Sequence, residues 1–268
     1  MQFSLPPLVL AAAYLALGAG YGWILRRQEP WSRRSLRALT VLLAAAHLWL
    51  LADVVPQGAS LLLGFGNAVS LLAALVMLLF GGLSSVRAVD NLGVVLAPLA
   101  ALSVLLMMLP SHAAPLPIVD ALPLALHILL SVLAYGLLAL AALQALFMAY
   151  QDSRLRQHTP GGLLRALPPL GDMEQLLFQI LALGFAALTL ALLSGMLFLG
   201  DIFAPHLIEK TALSICAWLV IGTLLIGRRR AGWRGQTAVR WTLAGFALLM
   251  LAYLGSKFAL EFLLQQTR

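Results

Sequence analysis

Two histidines stand inside long apolar stretches of the chain, where an ionisable side chain is costly and is therefore a candidate for function. His47 lies six residues before Asp53, and His127 lies seven residues after Asp120. With a rise of about 1.5 Å per helical residue, each imidazole lies roughly 9–10 Å along its helix from that aspartate. Neutral imidazole is a common ligand of haem iron and of other transition metals. Two histidines at matching depths therefore predict a bis-histidine site that binds haem iron noncovalently.

The same histidines could instead serve only helix packing. Histidine and serine side chains hydrogen-bond across neighbouring helices in membrane bundles, and Asn67 and Ser70 are expected to be polar groups of this kind. His127 is followed by Ser131 and Tyr135 at i+4 and i+8, which puts all three on one face of a helix. Such a polar stripe suits a half-buried ligand site and equally suits a tightly packed central helix. Both interpretations stay open from these residues alone.

Weaker candidates lie near the ends of the apolar stretches. His112 and His206 are in connections on the same side as the histidine pair and are candidate accessory ligands, whereas His158 lies on the opposite side and is expected to be solvated. Lys257 and Glu261 are spaced i, i+4 near the end of the last apolar stretch. They could pair with each other or anchor that helix, and Lys257 could attract a haem propionate.

The composition indicates which elements must position these side chains. Of the 268 residues, 62% are hydrophobic and 10% are charged, against about 45–50% and 25% in an ordinary soluble domain. The mean hydropathy is +0.97. A water-soluble globule cannot hide so much apolar surface, so a cytosolic enzyme, a disordered chain and a disulfide-stapled secreted domain are excluded. The expected fold class is all-α, a polytopic transmembrane helix bundle.

Eight apolar runs are long enough to cross a bilayer as helices of roughly 20 residues. In chain order they cover residues 5–24, 36–52, 62–80, 92–109, 122–150, 176–199, 211–226 and 238–264. Pro and Gly occur in several of the breaks, where they end helices. The breaks are too short for a folded extramembrane domain. We therefore expect residues 1–268 to form a single integral membrane domain.

The basic residues predict the orientation of these spans. Fourteen of the 17 Lys and Arg residues are expected in the connections after spans one, three, five and seven. They are Arg26, Arg27, Arg33, Arg34, Arg37, Arg87, Arg154, Arg156, Arg165, Arg228, Arg229, Arg230, Arg234 and Arg240. The positive-inside rule makes this side cytoplasmic, so both termini and the histidine pair lie toward the outside. The net charge of +7 then reflects membrane topology rather than nucleic acid binding, and the GWRG segment at 232–235 is expected to anchor at lipid headgroups.

The sequence lacks the motifs of several enzyme and cofactor classes. Cys216 is the sole cysteine, which excludes an intramolecular disulfide, a CxxC thiol site and an iron–sulfur cluster from this chain alone. There is no Walker loop, HExxH motif, nucleophile elbow or glycine-rich nucleotide motif. A pump is disfavoured, because no span carries a central Asp, Glu or Arg.

Several short motifs follow one another in the second half of the chain. They are HILLSVLAY from His127, LPPL at 167–170, Ser194-Gly195, EKTALSICAW at 209–218, GWRG at 232–235 and LAYLG at 251–255. In this order they resemble the cytochrome c assembly protein family, the CcsA/CcmC-like membrane haem handlers. The resemblance is closest to the YpjD/HemX-like branch and is strongest over residues 122–256.

The resemblance implies a bacterial inner-membrane protein that handles haem b near the outer leaflet. His127 matches the family's outer histidine, and His47 matches a histidine in the second helix of this branch. The implied function is cytochrome c assembly or haem delivery, with the lipid bilayer, haem and other assembly or haem-synthesis proteins as partners. The tryptophan-rich WWD segment of the cytochrome c synthases is absent, since residues 200–210 read GDIFAPHLIEK. Covalent attachment of haem by this chain is therefore not expected.

Two other classes of function remain open. The chain could be a regulatory or scaffolding membrane protein that acts on a partner such as a haem-synthesis enzyme, with its histidines purely structural. It could also be a transporter or a transport accessory. A partner that copurifies after both histidines are substituted would favour the first alternative, and substrate flux in liposomes containing this protein alone would favour the second.

Overall fold

Runs of Leu and Ala, which are strong helix formers, favour helices that satisfy their own backbone hydrogen bonds within a bilayer. The computed structural model describes residues 5–27, 30–54, 56–57, 60–61, 64–87, 89–109, 116–117, 121–157, 167–198 and 208–252. Within them the helices are α1 (Leu5–Arg27), α2 (Pro30–Val54), α3 (Phe65–Val86), α4 (Asp90–Met107), α5 (Ala121–Arg156), α6 (Leu170–Phe198), α7 (Ile208–Ala231) and α8 (Gln236–Met250). The predicted all-α helix bundle is confirmed.

Among the described residues, the seven helices α1 to α7 are long and apolar enough to cross a membrane. The chain is therefore a multi-pass membrane protein. Helix α8 is described over 15 residues, and the apolar run from which it was predicted continues to residue 264, outside the described residues. An eighth crossing, and with it the placement of both termini outside, stays a prediction.

The helices extend beyond the apolar runs, which corrects the predicted place of many arginines. Arg33 and Arg37 were expected in a connection, but α2 begins at Pro30 and carries both. In the same way α5 carries Arg154 and Arg156, and α7 carries the arginines at 228–230. Arginine is a good helix former, whereas hydropathy detects only the part of a helix that faces hydrocarbon. The basic residues thus lie largely on helix ends.

Three two-residue strands lie between helices and were not predicted. They are β1 (Pro56–Gln57), β2 (Ser60–Leu61) and β3 (Leu116–Pro117), which form an antiparallel sheet in the order β1-β2-β3. Pro56 pairs with Leu61, and Ser60 pairs with Pro117. Strands of two residues are too short to show the alternation by which a strand is recognised in sequence.

The helices divide into two compact units. In the first unit α4 packs against α1 and α3, and α2 packs against the same two helices. In the second unit α5 packs along α6 and also contacts α8, while α7 contacts α6 and α8. The single membrane domain expected over residues 1–268 stays a prediction.

A partly buried ion pair joins α2 to α4 in the first unit. Asp90 lies in the first turn of α4 and accepts hydrogen bonds from Arg37, at 3.0 Å from Nε and 2.9 Å from Nη2. Arg33 adds a longer contact of 4.0 Å. Because the guanidinium engages both carboxylate oxygens, it fixes direction as well as distance between the two helices.

Candidate functional site

His127 lies on α5 in the second unit and faces α6. Further along α5 the small side chains Ala134, Ala141 and Ala145 are fully buried. The imidazole is half-buried, and its Nδ1 lies 3.0 Å from Oγ of Ser194 on α6. The side chain is therefore held by a neighbouring helix at a position that is not fully enclosed.

The Ser194 hydrogen bonds suit one tautomer of His127. Ser194 Oγ lies 2.9 Å from the carbonyl oxygen of Ala191 and can donate to it. A serine hydroxyl has one proton to give, so when it donates to Ala191 it accepts from His127. In this arrangement the imidazole donates from Nδ1–H, and Nε2 is the unprotonated nitrogen. An imidazole oriented by a hydrogen bond at one nitrogen, with a lone pair at the other, is the form that binds metals.

The predicted polar stripe lies on one face of α5. His127, Ser131 and Tyr135 share one face at intervals of one turn, and all three side chains are half-buried. The stripe runs from the N-terminal part of α5 towards its middle. It therefore places two further polar side chains on the face that carries the candidate ligand.

His47 lies on α2 in the first unit, in a very different environment. Its side chain is 0% exposed. Ser70 Oγ on α3 lies 2.6 Å from Nε2, and the Tyr14 hydroxyl on α1 lies 3.4 Å from Nδ1. The Tyr14 ring also meets the imidazole edge-on, with 5.7 Å between ring centres. Both ring nitrogens thus have a partner, and one partner must be displaced before His47 can bind a metal.

The sequence did not identify all the partners of these histidines. Ser70 was expected to be a packing group and Ser194 was noted only within a short motif, while Tyr14 was not singled out. The available signal was a polar side chain isolated in an apolar helix. That signal shows that a partner is needed without showing which residue supplies it.

Three predicted site residues lie outside the described residues: His112, His206 and Lys257. His158, expected to be solvated, and Glu261, the expected partner of Lys257, lie outside them as well. Among the residues that the structure describes, no group of three or more His, Cys, Asp or Glu side chains is arranged to hold a metal ion. His127 and His47 belong to different units. Their roles as ligands stay predictions.

Comparison with known proteins places this chain in a family. The family model described as "Cytochrome C assembly protein" matches residues 36–264. The inner membrane protein YpjD of Escherichia coli K12 is 31% identical over 258 residues, covering 93% of this chain and 95% of that protein. An uncharacterised 28.8 kDa protein of Azospirillum brasilense is 34% identical over 237 residues, 85% of each chain.

A more distant match is the cytochrome c biogenesis protein CcsA of Chlamydomonas reinhardtii. It is 25% identical over 144 residues, which cover 52% of this chain and 40% of that protein. No solved structure matches the chain.

Proposed function

Because the chain belongs to the cytochrome c assembly protein family, we propose that it is an inner-membrane protein that binds haem noncovalently and passes it on. Family membership gives it a role in cytochrome c biogenesis and haem handling. The inner-membrane location is supported by the similarity to YpjD and by the seven apolar helices. Haem b is the cargo that we propose, held near the outer leaflet.

The observation that carries this proposal is the hydrogen bond between His127 and Ser194. It presents a neutral imidazole with its lone pair on Nε2, and the side chain is half-buried rather than enclosed. Haem iron is commonly held by a histidine of this form. We therefore assign His127 as an axial ligand. Ser131 and Tyr135, on the same face of α5, would line the approach to it.

We propose His47 as the second ligand, on the basis of its matching depth in the sequence. Its Nε2 is held by the short bond to Ser70, whereas the 3.4 Å contact of Nδ1 with Tyr14 is the weaker of the two. Iron binding at Nδ1 of His47 would replace the Tyr14 contact, so the Tyr14 hydroxyl has to move away from the imidazole.

The enclosed surroundings of His47 favour one alternative function. If both histidines serve only packing, the chain acts as a regulatory or scaffolding protein on a partner and binds no haem. Affinity purification distinguishes the two functions. A partner that copurifies unchanged with the double variant His47→Ala/His127→Ala supports the scaffold.

Absorption spectroscopy of the purified protein tests the haem proposal. We expect a Soret band in wild-type protein from haem-sufficient cells and its loss in His127→Ala. The matched control is His158→Ala, whose histidine is predicted on the opposite side and should leave the band unchanged. His47→Ala should shift the band if His47 is the second ligand. A featureless spectrum of folded wild-type protein after haem reconstitution would overturn the proposal.

A further inference from the structure

The second unit contains a cavity far along α5 from His127, where several helix ends meet. It has a volume of about 570 Å³ and is lined by residues from the C-terminal ends of α5 and α7 and the N-terminal ends of α6 and α8. The C-terminal end of α7 carries the arginines at 228–230. Because arginines cluster where membrane helices meet water, we infer that the cavity opens at the membrane–water boundary. A polar cavity at this level is within reach of lipid headgroups.

The connection between α7 and α8 forms one wall of the cavity. Gly232 and Gly235 both have positive φ, at 64° and 56°, a region that other residues rarely adopt. The turn lets Trp233 fold back on α7, where its ring packs against Gly227 and leaves no room for a Cβ. Arg234, between these residues, is thereby placed in the cavity wall.

The charged groups in the wall are balanced. Glu174 binds Arg228 at 2.7 Å and accepts the backbone N–H of Gly235 at 2.9 Å. Asp152 accepts the side-chain amide N–H of Gln236 at 2.6 Å and also pairs at 3.2 Å with Arg156, which does not line the cavity. Arg234 is 74% exposed and lies 3.8 Å from Glu174, beyond hydrogen-bonding distance. Two carboxylates and two guanidinium groups thus line one cavity, which suits a ligand that itself carries both charges.

From these features we propose that the cavity binds the phosphoethanolamine headgroup of a membrane lipid. The ammonium group, with three donors and no acceptor, lies towards Asp152 and Glu174. The phosphate lies towards Arg228 and Arg234, and the acyl chains run along the apolar helix surfaces. The site is independent of the haem proposal, since it uses neither histidine.

A lipid panel on the wild-type full-length protein tests the site without any substitution. Delipidated protein in detergent is titrated with phosphatidylethanolamine, phosphatidylcholine or phosphatidylglycerol, and bound lipid is counted by native mass spectrometry. We expect phosphatidylethanolamine to bind about tenfold more tightly than either other lipid. Phosphatidylcholine lacks N–H donors, and phosphatidylglycerol lacks the cation.

Substitutions test the contacts to the ammonium group and to the phosphate separately. Asp152→Asn or Glu174→Gln should reduce binding of phosphatidylethanolamine to the level of phosphatidylcholine, because each weakens the ammonium site. Arg234→Gln should weaken both lipids alike, because both carry the phosphate. Asp172→Asn and Arg229→Gln are matched controls, since both residues are exposed on the same helices and do not line the cavity.

Three results would overturn the assignment. Phosphatidylglycerol could bind as tightly as phosphatidylethanolamine. The preference for phosphatidylethanolamine could survive both carboxylate variants while these stay folded. Free phosphoethanolamine could compete at the same concentration as the lipid, in which case the ligand is a soluble zwitterion rather than a membrane lipid.

Discussion

The Nδ1 atom of His127 lies 3.0 Å from the Oγ atom of Ser194, and this contact joins α5 to α6. Ser194 can donate its own proton to the Ala191 carbonyl, and the imidazole is then the donor in the contact. In this arrangement the serine orients the histidine and leaves Nε2 unprotonated. If His127 is a haem ligand, Ser194 is its positioning residue.

Replacing Ser194 with alanine should weaken haem binding without abolishing it. The imidazole would keep its place on α5 but lose the group that selects its tautomer. Substitution of such outer-shell partners typically lowers metal affinity by about 10–100-fold, and we expect a loss at the lower end. Titration of haem followed at the Soret band measures it. Ser153→Ala, at the exposed far end of α5, is the control and should leave the affinity unchanged.

A loss of binding in Ser194→Ala could also arise from poor packing. The Soret position separates these causes, because a changed tautomer alters the iron ligation and a packing defect lowers only the occupancy. If Ser194→Ala and wild type bind haem equally, Ser194 has no positioning role.

The polar cluster around His47 should contribute to stability. Ser70→Ala leaves one nitrogen of a fully enclosed imidazole without its partner. Side-chain hydrogen bonds between membrane helices are worth about 0.6 kcal/mol on average and up to about 1.7, and we expect a value near the upper limit. Thermal unfolding in detergent measures the difference. Ser85→Ala is the control, because that serine is exposed and bonds to its own helix.

A double-mutant cycle on His47 and Ser70 tests their hydrogen bond directly. The His47–Ser70 hydrogen bond predicts that Ser70→Ala lowers the free energy of unfolding much less in a His47→Leu background than in wild type. In that background the imidazole nitrogen that would be left without a partner is absent. Additive effects of the two substitutions would contradict the bond.

The helices could be predicted from sequence because their signal is local. A run such as residues 62–80 shows by itself that it must cross a membrane or be buried, and α3 forms over most of it. The helix ends could not be predicted in the same way. Arg33 and Arg37 lower the hydropathy of a segment that is nonetheless helical, so the start of α2 was placed several residues too late.

The candidate ligands were visible in the sequence, whereas their partners were not. His47 and His127 stand out because each is an imidazole among apolar residues. Ser70 lies 23 residues from His47, and Ser194 lies 67 residues from His127. Which helix faces each imidazole depends on how the helices pack and rotate. The packing and rotation of the helices depend on many small apolar side chains, and no single motif specifies them.

The ion pair between Arg37 and Asp90 should be a major contribution to the stability of the first unit. Asp90→Asn leaves a guanidinium without its anion, and breaking a fully buried pair costs about 3–5 kcal/mol. Because the Arg37 side chain is 22% exposed, we expect a smaller loss of about 2–3 kcal/mol. Unfolding in denaturing detergent, followed by circular dichroism, measures it.

Asp172→Asn is the matched control for this substitution. Asp172 also lies in the first turn of a helix, but it is exposed. Its loss should cost only the interaction with the helix dipole, about 0.3–1 kcal/mol. Equal losses of stability for Asp90→Asn and Asp172→Asn would mean that the ion pair contributes nothing beyond the interaction of a first-turn carboxylate with the helix dipole.

Two glycines within helices should respond to alanine in opposite directions. A Cβ on Gly93 of α4 would lie 2.5 Å from Cδ2 of the buried Tyr21 ring on α1, so the two helices would have to separate. Overpacking of this kind costs about 1–3 kcal/mol. A Cβ on Gly82 of α3 would meet nothing within 4 Å, and alanine is the better helix former by about 1 kcal/mol. In thermal unfolding, Gly93→Ala should therefore lower the midpoint and Gly82→Ala should leave it unchanged or raise it. Equal shifts for both variants would show that α1 and α4 are not in the close contact described.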